Sequence, residues 1–206
     1  LRNAPGFDGR AVYAIDDRPF AVADEFPDRT VYRYAYRGAW APYAGSPRAA
    51  RLQRVRDVAG PQVRLDTTVG VPDGAAGVTT RVATDRGAVY YVAPNVSDAL
   101  DVDLVVSEGW IRVAGDVRPV RNGTLAVEDP DVVRLTVFVD YGAGGGFSYR
   151  FELPIEISEG RVRALSPRVE RCRDARTCGG AAAYIPESAP DGIFVRTELT
   201  AREPNP

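Results

Sequence analysis

The sequence predicts an all-β fold, a β-sandwich of Ig-like or jelly-roll-like form with one short α-helix near residues 47–59. Three observations carry that expectation. Apolar residues recur in short runs with period-2 alternation, the pattern of strands with one buried face. Twenty glycines and 16 prolines punctuate those runs at turn-length intervals. Only one stretch has the start, stripe and stop of a helix. At 206 residues and 45% hydrophobic, the chain can fill a sizeable core.

Taken in order, residues 1–9 (LRNAPGFDG) have no periodicity and read as an extended arm. Ala11, Val12, Tyr13, Ala14 and Ile15 follow as a short strand closed by Asp16-Asp17. From Thr30, Tyr32, Tyr34 and Tyr36 alternate with Val31, Arg33 and Ala35, a sheet face with half-buried tyrosine rings. A stacking platform for sugars or bases is the sharper but less economical reading of the same residues.

Ser46-Pro47 then opens the helix, with Ser46 as N-cap and Pro47 in the first turn. Leu52, Val55, Val58 and Ala59 make its stripe, Gly60 its stop, and Arg48, Arg51, Arg54 and Arg56 a solvated face.

Strands follow one another from residue 61. Gln62 to Val71 alternates with Val63, Leu65, Thr67 and Val69 on one side, and Pro72-Asp73-Gly74 turns the chain. Gly77–Thr84 and Ala88–Val92 flank a hairpin turn at Asp85-Arg86-Gly87. Val102–Val106, Trp110–Ala114 and Thr124–Val127 are shorter runs. Val132 to Val139 is the strongest, an apolar run that suggests burial on both sides. Phe147–Ile157 is its partner across Gly142–Gly146, with Pro154 marking an edge or a bulge. Arg161–Ser166 and Gly192–Leu199 complete the set. The expected organisation is an N-terminal arm, residues 1–15, before a single sandwich domain, residues 16–206. A boundary near Pro94–Ala99 is the alternative.

Absences narrow the chemistry. The chain has no His, Lys or Met, so imidazole bases, His-ligated zinc and Schiff-base lysines are excluded. The glycine run lacks the lysine of a phosphate loop and precedes a strand. No enzymatic activity and no catalytic residue are expected.

All 26 cations are arginine, against 28 acids, and Asn and Gln are scarce. That bias fits high genomic GC content, or a hot or oxidising setting. Together with a first residue other than Met, it points to an exported chain whose signal peptide has been removed. Cys172 and Cys178 enclose RDART and are expected to form a local disulfide. Asn95-Val96-Ser97 and Asn122-Gly123-Thr124 are glycosylation sequons. No apolar run is long enough to span a membrane as a helix.

Asp98, Asp101 and Asp103 crowd one stretch, and Asp101 and Asp103 would share a strand face, a minimal start for a calcium site. Solvated turns explain them more simply, and no other cofactor is expected. An arginine band, Arg161, Arg163, Arg168, Arg171, Arg173 and Arg176, could meet the acidic N-terminal stretch Asp16, Asp17, Asp24, Glu25 and Asp28, within one subunit or across two.

The function these readings favour is an exported structural subunit of a filament, sheath or surface lattice. It would assemble head-to-tail with itself by donating the strand Ala11–Ile15 to a neighbour's sheet. Ile193, Val195, Thr197 and Leu199 form a second donor candidate, or an ordinary last strand. A secreted calcium- or carbohydrate-binding module is the alternative. No nucleic-acid partner is expected.

Overall fold

A computed structural model describes residues 6, 9–14, 18–36, 50–95, 97–129, 131–172 and 192–202. Their elements are α1 (Ala21–Glu25), β1 (Tyr32–Tyr36), β2 (Ala50–Arg54), β3 (Asp57–Gly60), β4 (Gln62–Gly70), β5 (Gly77–Thr84), β6 (Gly87–Val92) and β7 (Ala99–Ser107). They continue with β8 (Trp110–Gly115), β9 (Arg118–Pro119), β10 (Thr124–Ala126), β11 (Asp131–Asp140), β12 (Gly146–Ser158), β13 (Arg161–Leu165), β14 (Arg168–Cys172) and β15 (Val195–Arg202).

Two antiparallel sheets make the sandwich. One runs β10-β8-β7-β4-β15; the other runs β3-β13-β12-β11-β5-β6-β9, with β14 also on β12. Among the described residues β1 and β2 pair only with each other, as a separate two-stranded sheet.

Period-2 patterning explains the sheets. On β4, Val63, Leu65, Thr67 and Val69 are buried while Gln62, Arg64, Asp66 and Thr68 face outward, as the alternation predicted. Leu100, Val102, Leu104 and Val106 of β7 join them, and Val133, Leu135, Val137 and Val139 of β11 meet them from the other sheet. Apart from Thr67, all belong to one hydrophobic cluster that also takes in Phe147, Tyr149, Phe151, Leu153 and Ile155 of β12. Burying large side chains of this kind supplies roughly 1.5–3 kcal/mol each.

Tyrosine hydroxyls buried in that core are satisfied. Tyr149 donates to the Gly70 carbonyl at 2.6 Å. Tyr91 donates to the Gly123 carbonyl and accepts the Val113 N–H at 3.2 Å, and burial pushes its phenol above the ordinary range.

Four expectations need correction. Residues 50–60 are not helical but form β2 and β3; Ser46 and Pro47 lie outside the described residues. Antiparallel partners decide the matter, with β2 on β1 and β3 on β13, and a local 3.6-residue stripe yields to them. The short helix is instead Ala21–Glu25. Gly60 is a packing residue rather than a helix stop, since a Cβ there would stand 3.0 Å from the Ala201 Cβ.

The third correction concerns Ala11, Val12, Tyr13 and Ala14, which carry no strand in this chain; Ile15 lies outside the described residues. The fourth is β11, which is buried on one face and half-buried on the other, where Val132, Arg134, Thr136 and Phe138 lie. Pro154 does mark an interruption. On one side β12 pairs with β14 through Glu152 and with β13 from Ile155, so Pro154 falls where the partner changes.

Candidate functional site

The aspartates expected to bind calcium sit on or beside the outer face of the five-stranded sheet. Asp101 and Asp103 do share a face of β7. Each is engaged by the chain itself. The Asp101 carboxylate accepts the Thr68 hydroxyl at 2.7 Å, and Asp103 accepts Arg64 at 2.6 Å and the Thr67 N–H at 3.3 Å. Arg64 also holds Asp66, bridging the two acids across β4 and β7. Burial raises the Asp103 carboxyl above the usual carboxylate range, against the pull of the Thr67 N–H and Arg64. Asp98 is exposed in the preceding loop, and its carbonyl accepts the Val71 N–H. Among the described residues no group of three or more His, Cys, Asp or Glu is arranged to hold a metal ion.

Cys172 is buried at the end of β14; Cys178 lies outside the described residues. No described cysteine is free. Both sequon asparagines, Asn95 and Asn122, are exposed; the Asn122 amide oxygen accepts the Thr124 N–H at 3.2 Å.

The terminal segments differ in kind. The C-terminal candidate is β15, an ordinary strand in its own sheet, paired with β4 from Val195 opposite Val69 to Arg202 opposite Gln62. It is also an edge, without a described partner on its outer side. The N-terminal segment carries no strand at residues 11–14, and it is tethered where Arg29 donates to the Gly9 carbonyl at 2.8 Å.

A cleft of about 630 Å³ opens between the segment from α1 to the start of β1 and the chain running from the end of β2 into β3. Arg163 anchors its wall. Its guanidinium meets Asp24 at 2.8 Å, Asp57 at 2.6 Å and Glu156 at 3.2 Å, and it lies 4.7 Å over the Phe20 ring. Hydrogen bonding to Asp57, with further help from Asp24, raises its pKa and keeps it charged. The expected meeting of the arginine band with the acidic N-terminal stretch is thus present for Arg163 and Asp24, within one subunit. Phe20, buried at φ 73°, holds a backbone conformation that bulky residues rarely adopt.

Around the cleft mouth stand Arg29, Arg54, Arg56 and Asp28. Arg54 continues a face of the β1–β2 hairpin, for it lies opposite Tyr32 as Leu52 lies opposite Tyr34. Tyr32 is 54% exposed, close to the half-burial expected of it, whereas Tyr34 at 66% and Leu52 at 63% stand further out; the Tyr36 side chain lies outside the described residues. The opposite face rests on the sandwich, where Arg33 donates to the Ser166 carbonyl at 3.1 Å and Ser166 exchanges hydrogen bonds with the Arg56 backbone. Reading 47–59 as a helix placed Arg54 and Arg56 on a solvated helical face. The alternation of Arg54 with Gln53 and Val55 was the available signal for their true position.

The chain belongs to a family described as Domain of unknown function (DUF7846), whose model matches residues 1–153. That match ends within β12, so β13, β14 and β15 lie beyond it although they pair with β12 and β4. No curated protein and no solved structure matches the chain.

Proposed function

We propose that this member of the family is a non-enzymatic structural subunit of an extracellular filament, sheath or surface lattice, assembling head-to-tail through its sheet edges. The observation that carries the reading is β15, an eight-residue edge strand with no described partner on its outer side. An edge of that length offers a ladder of main-chain donors and acceptors to an added strand. The segment around Ala11–Ala14 has no strand of its own to lose by docking there.

A second feature favours an open chain of subunits over a closed pair. Tyr90, Val92 and Val120 are exposed beside β9, at the end of the eight-stranded sheet remote from β3. β15 packs near β3 at the other end. Two different contact surfaces at opposite ends give a heterologous assembly, which need not close. Export, a Cys172–Cys178 disulfide and glycans on Asn95 and Asn122 belong to the same proposal. Among the described residues no helix is long and apolar enough to cross a membrane.

Deleting residues 1–15 tests it. The intact chain is expected to form concentration-dependent polymers in sedimentation and negative-stain micrographs, and the shortened chain to remain a folded monomer. Equal polymers from both, or none from the intact chain, would refute strand donation by the arm.

A further inference from the structure

We propose that the exposed face of the β1–β2 hairpin and the arginine-lined mouth of the adjoining cleft form one binding site for an acidic polysaccharide. This site is independent of the sheet edges that serve assembly. Tyr32 and Tyr34 stand two residues apart on one strand face, about 7 Å, so a sugar chain lying along the strand can meet both rings. Leu52 lies beside Tyr34, and Arg54 beside Tyr32. Tyrosine rings offer apolar faces to the C–H faces of a pyranose while their hydroxyls stay wet.

The charge at the same place selects an anionic ligand. Arg54 and Arg56 are exposed and have no side-chain hydrogen-bond or ion-pair partner among the described residues, whereas Arg163 in the same cleft is held by Asp24, Asp57 and Glu156. Both guanidiniums present a flat fork that matches a uronate carboxylate or a sulfate ester. Of the acids lining the cleft, Asp24 and Asp57 are taken by Arg163, which leaves Asp28 against the two arginines and positive charge in excess.

The size and charge density of the site exclude other occupants. Three exposed apolar side chains are a narrow strip, far short of the roughly 800 Å² per partner of a stable protein interface. A nucleic acid carries a phosphate at every nucleotide and calls for a dense basic field. Here the chain as a whole bears a formal charge of −2, and acidic residues flank the cleft. A polymer with one charge every one or two sugars fits two arginines.

Affinity electrophoresis of the full chain in gels cast with polygalacturonate, dextran or no polymer is the test. Retardation is expected in polygalacturonate, weakened by added salt, and absent in dextran. The double variant Arg54→Gln, Arg56→Gln, and separately Tyr34→Ala, should each weaken binding at least tenfold while leaving the melting temperature in place. Should a variant unfold, the tyrosine-ring resonances of the native protein keep the test open, because Tyr32 and Tyr34 must shift on titration with oligogalacturonate. No retardation, unchanged binding in both variants, unmoved ring resonances, or tighter binding to poly(dT) than to polygalacturonate would each overturn the site.

Discussion

The sandwich and the β1–β2 hairpin are both antiparallel structure with alternating side chains, and they put that alternation to opposite ends. In the sandwich every long strand has a face that meets the other sheet; on β4 and β11 alternate residues are fully dry. The hairpin alternates Tyr32 and Tyr34 with Arg33, yet both tyrosine rings stay more than half exposed while its arginine face rests on the Ser166–Pro167 corner through polar bonds. Period 2 in a sequence therefore identifies a strand but does not say which face is dry. A second layer must be present for alternation to become burial. The stabilising free energy is concentrated in the sandwich, and the hairpin keeps its aromatic surface free for a ligand.

The largest effect expected from this contrast lies at the centre of the core. Phe151 is fully buried on β12 opposite Leu135 of β11, with neighbours that cannot readily collapse into the space. Phe151→Ala should cost about 3–5 kcal/mol in urea unfolding. A loss below about 1 kcal/mol would mean that the interior is loosely packed and the contrast with the hairpin overstated.

An intermediate effect is expected where the segment carrying α1 meets the sandwich. Arg163 ties α1 through Asp24, β3 through Asp57 and β12 through Glu156. Its side chain is partly exposed, so water screens each pair and the network is worth less than a buried one. Arg163→Gln should cost about 1–2 kcal/mol globally. The segment carrying α1 should also become sensitive to protease before the sandwich does. Unchanged digestion at residues 18–30 would show that Phe20 packing, not the guanidinium, holds the segment down.

Much of the sandwich was legible because its signals are local. The run 62–71 announces its inward face, the turn at Asp85-Arg86 its hairpin, and Pro154 its interruption. The stretch 50–60 was not legible. Leu52, Val55, Val58 and Ala59 satisfy a helical stripe, and the residues that override it, 32–36 and 161–165, lie outside any local window. The candidate site was hidden for the same reason. As a helical face, Arg54 and Arg56 are unremarkable; only the register with β1 sets Arg54 beside Tyr32. The tyrosines themselves were visible, but how far a second layer covers them is set by tertiary packing, which no pattern within β1 records.

The smallest effect separates the two regions through one residue type. Tyr91 is 1% exposed and its hydroxyl joins the Gly123 carbonyl to the Val113 N–H, so Tyr91→Phe removes one oxygen yet takes that partner from a buried N–H and a half-buried carbonyl. About 1–2 kcal/mol should be lost. Tyr34→Ser removes an entire ring from the hairpin, but that ring already stands in water, and the change should stay within about 0.5 kcal/mol. The inequality is the sharper measurement, because the smaller chemical edit must have the larger consequence. If Tyr34→Ser proved the costlier of the two in matched thermal melts, the hairpin face would be packed against something in solution, and its tyrosines would not be available to a sugar chain.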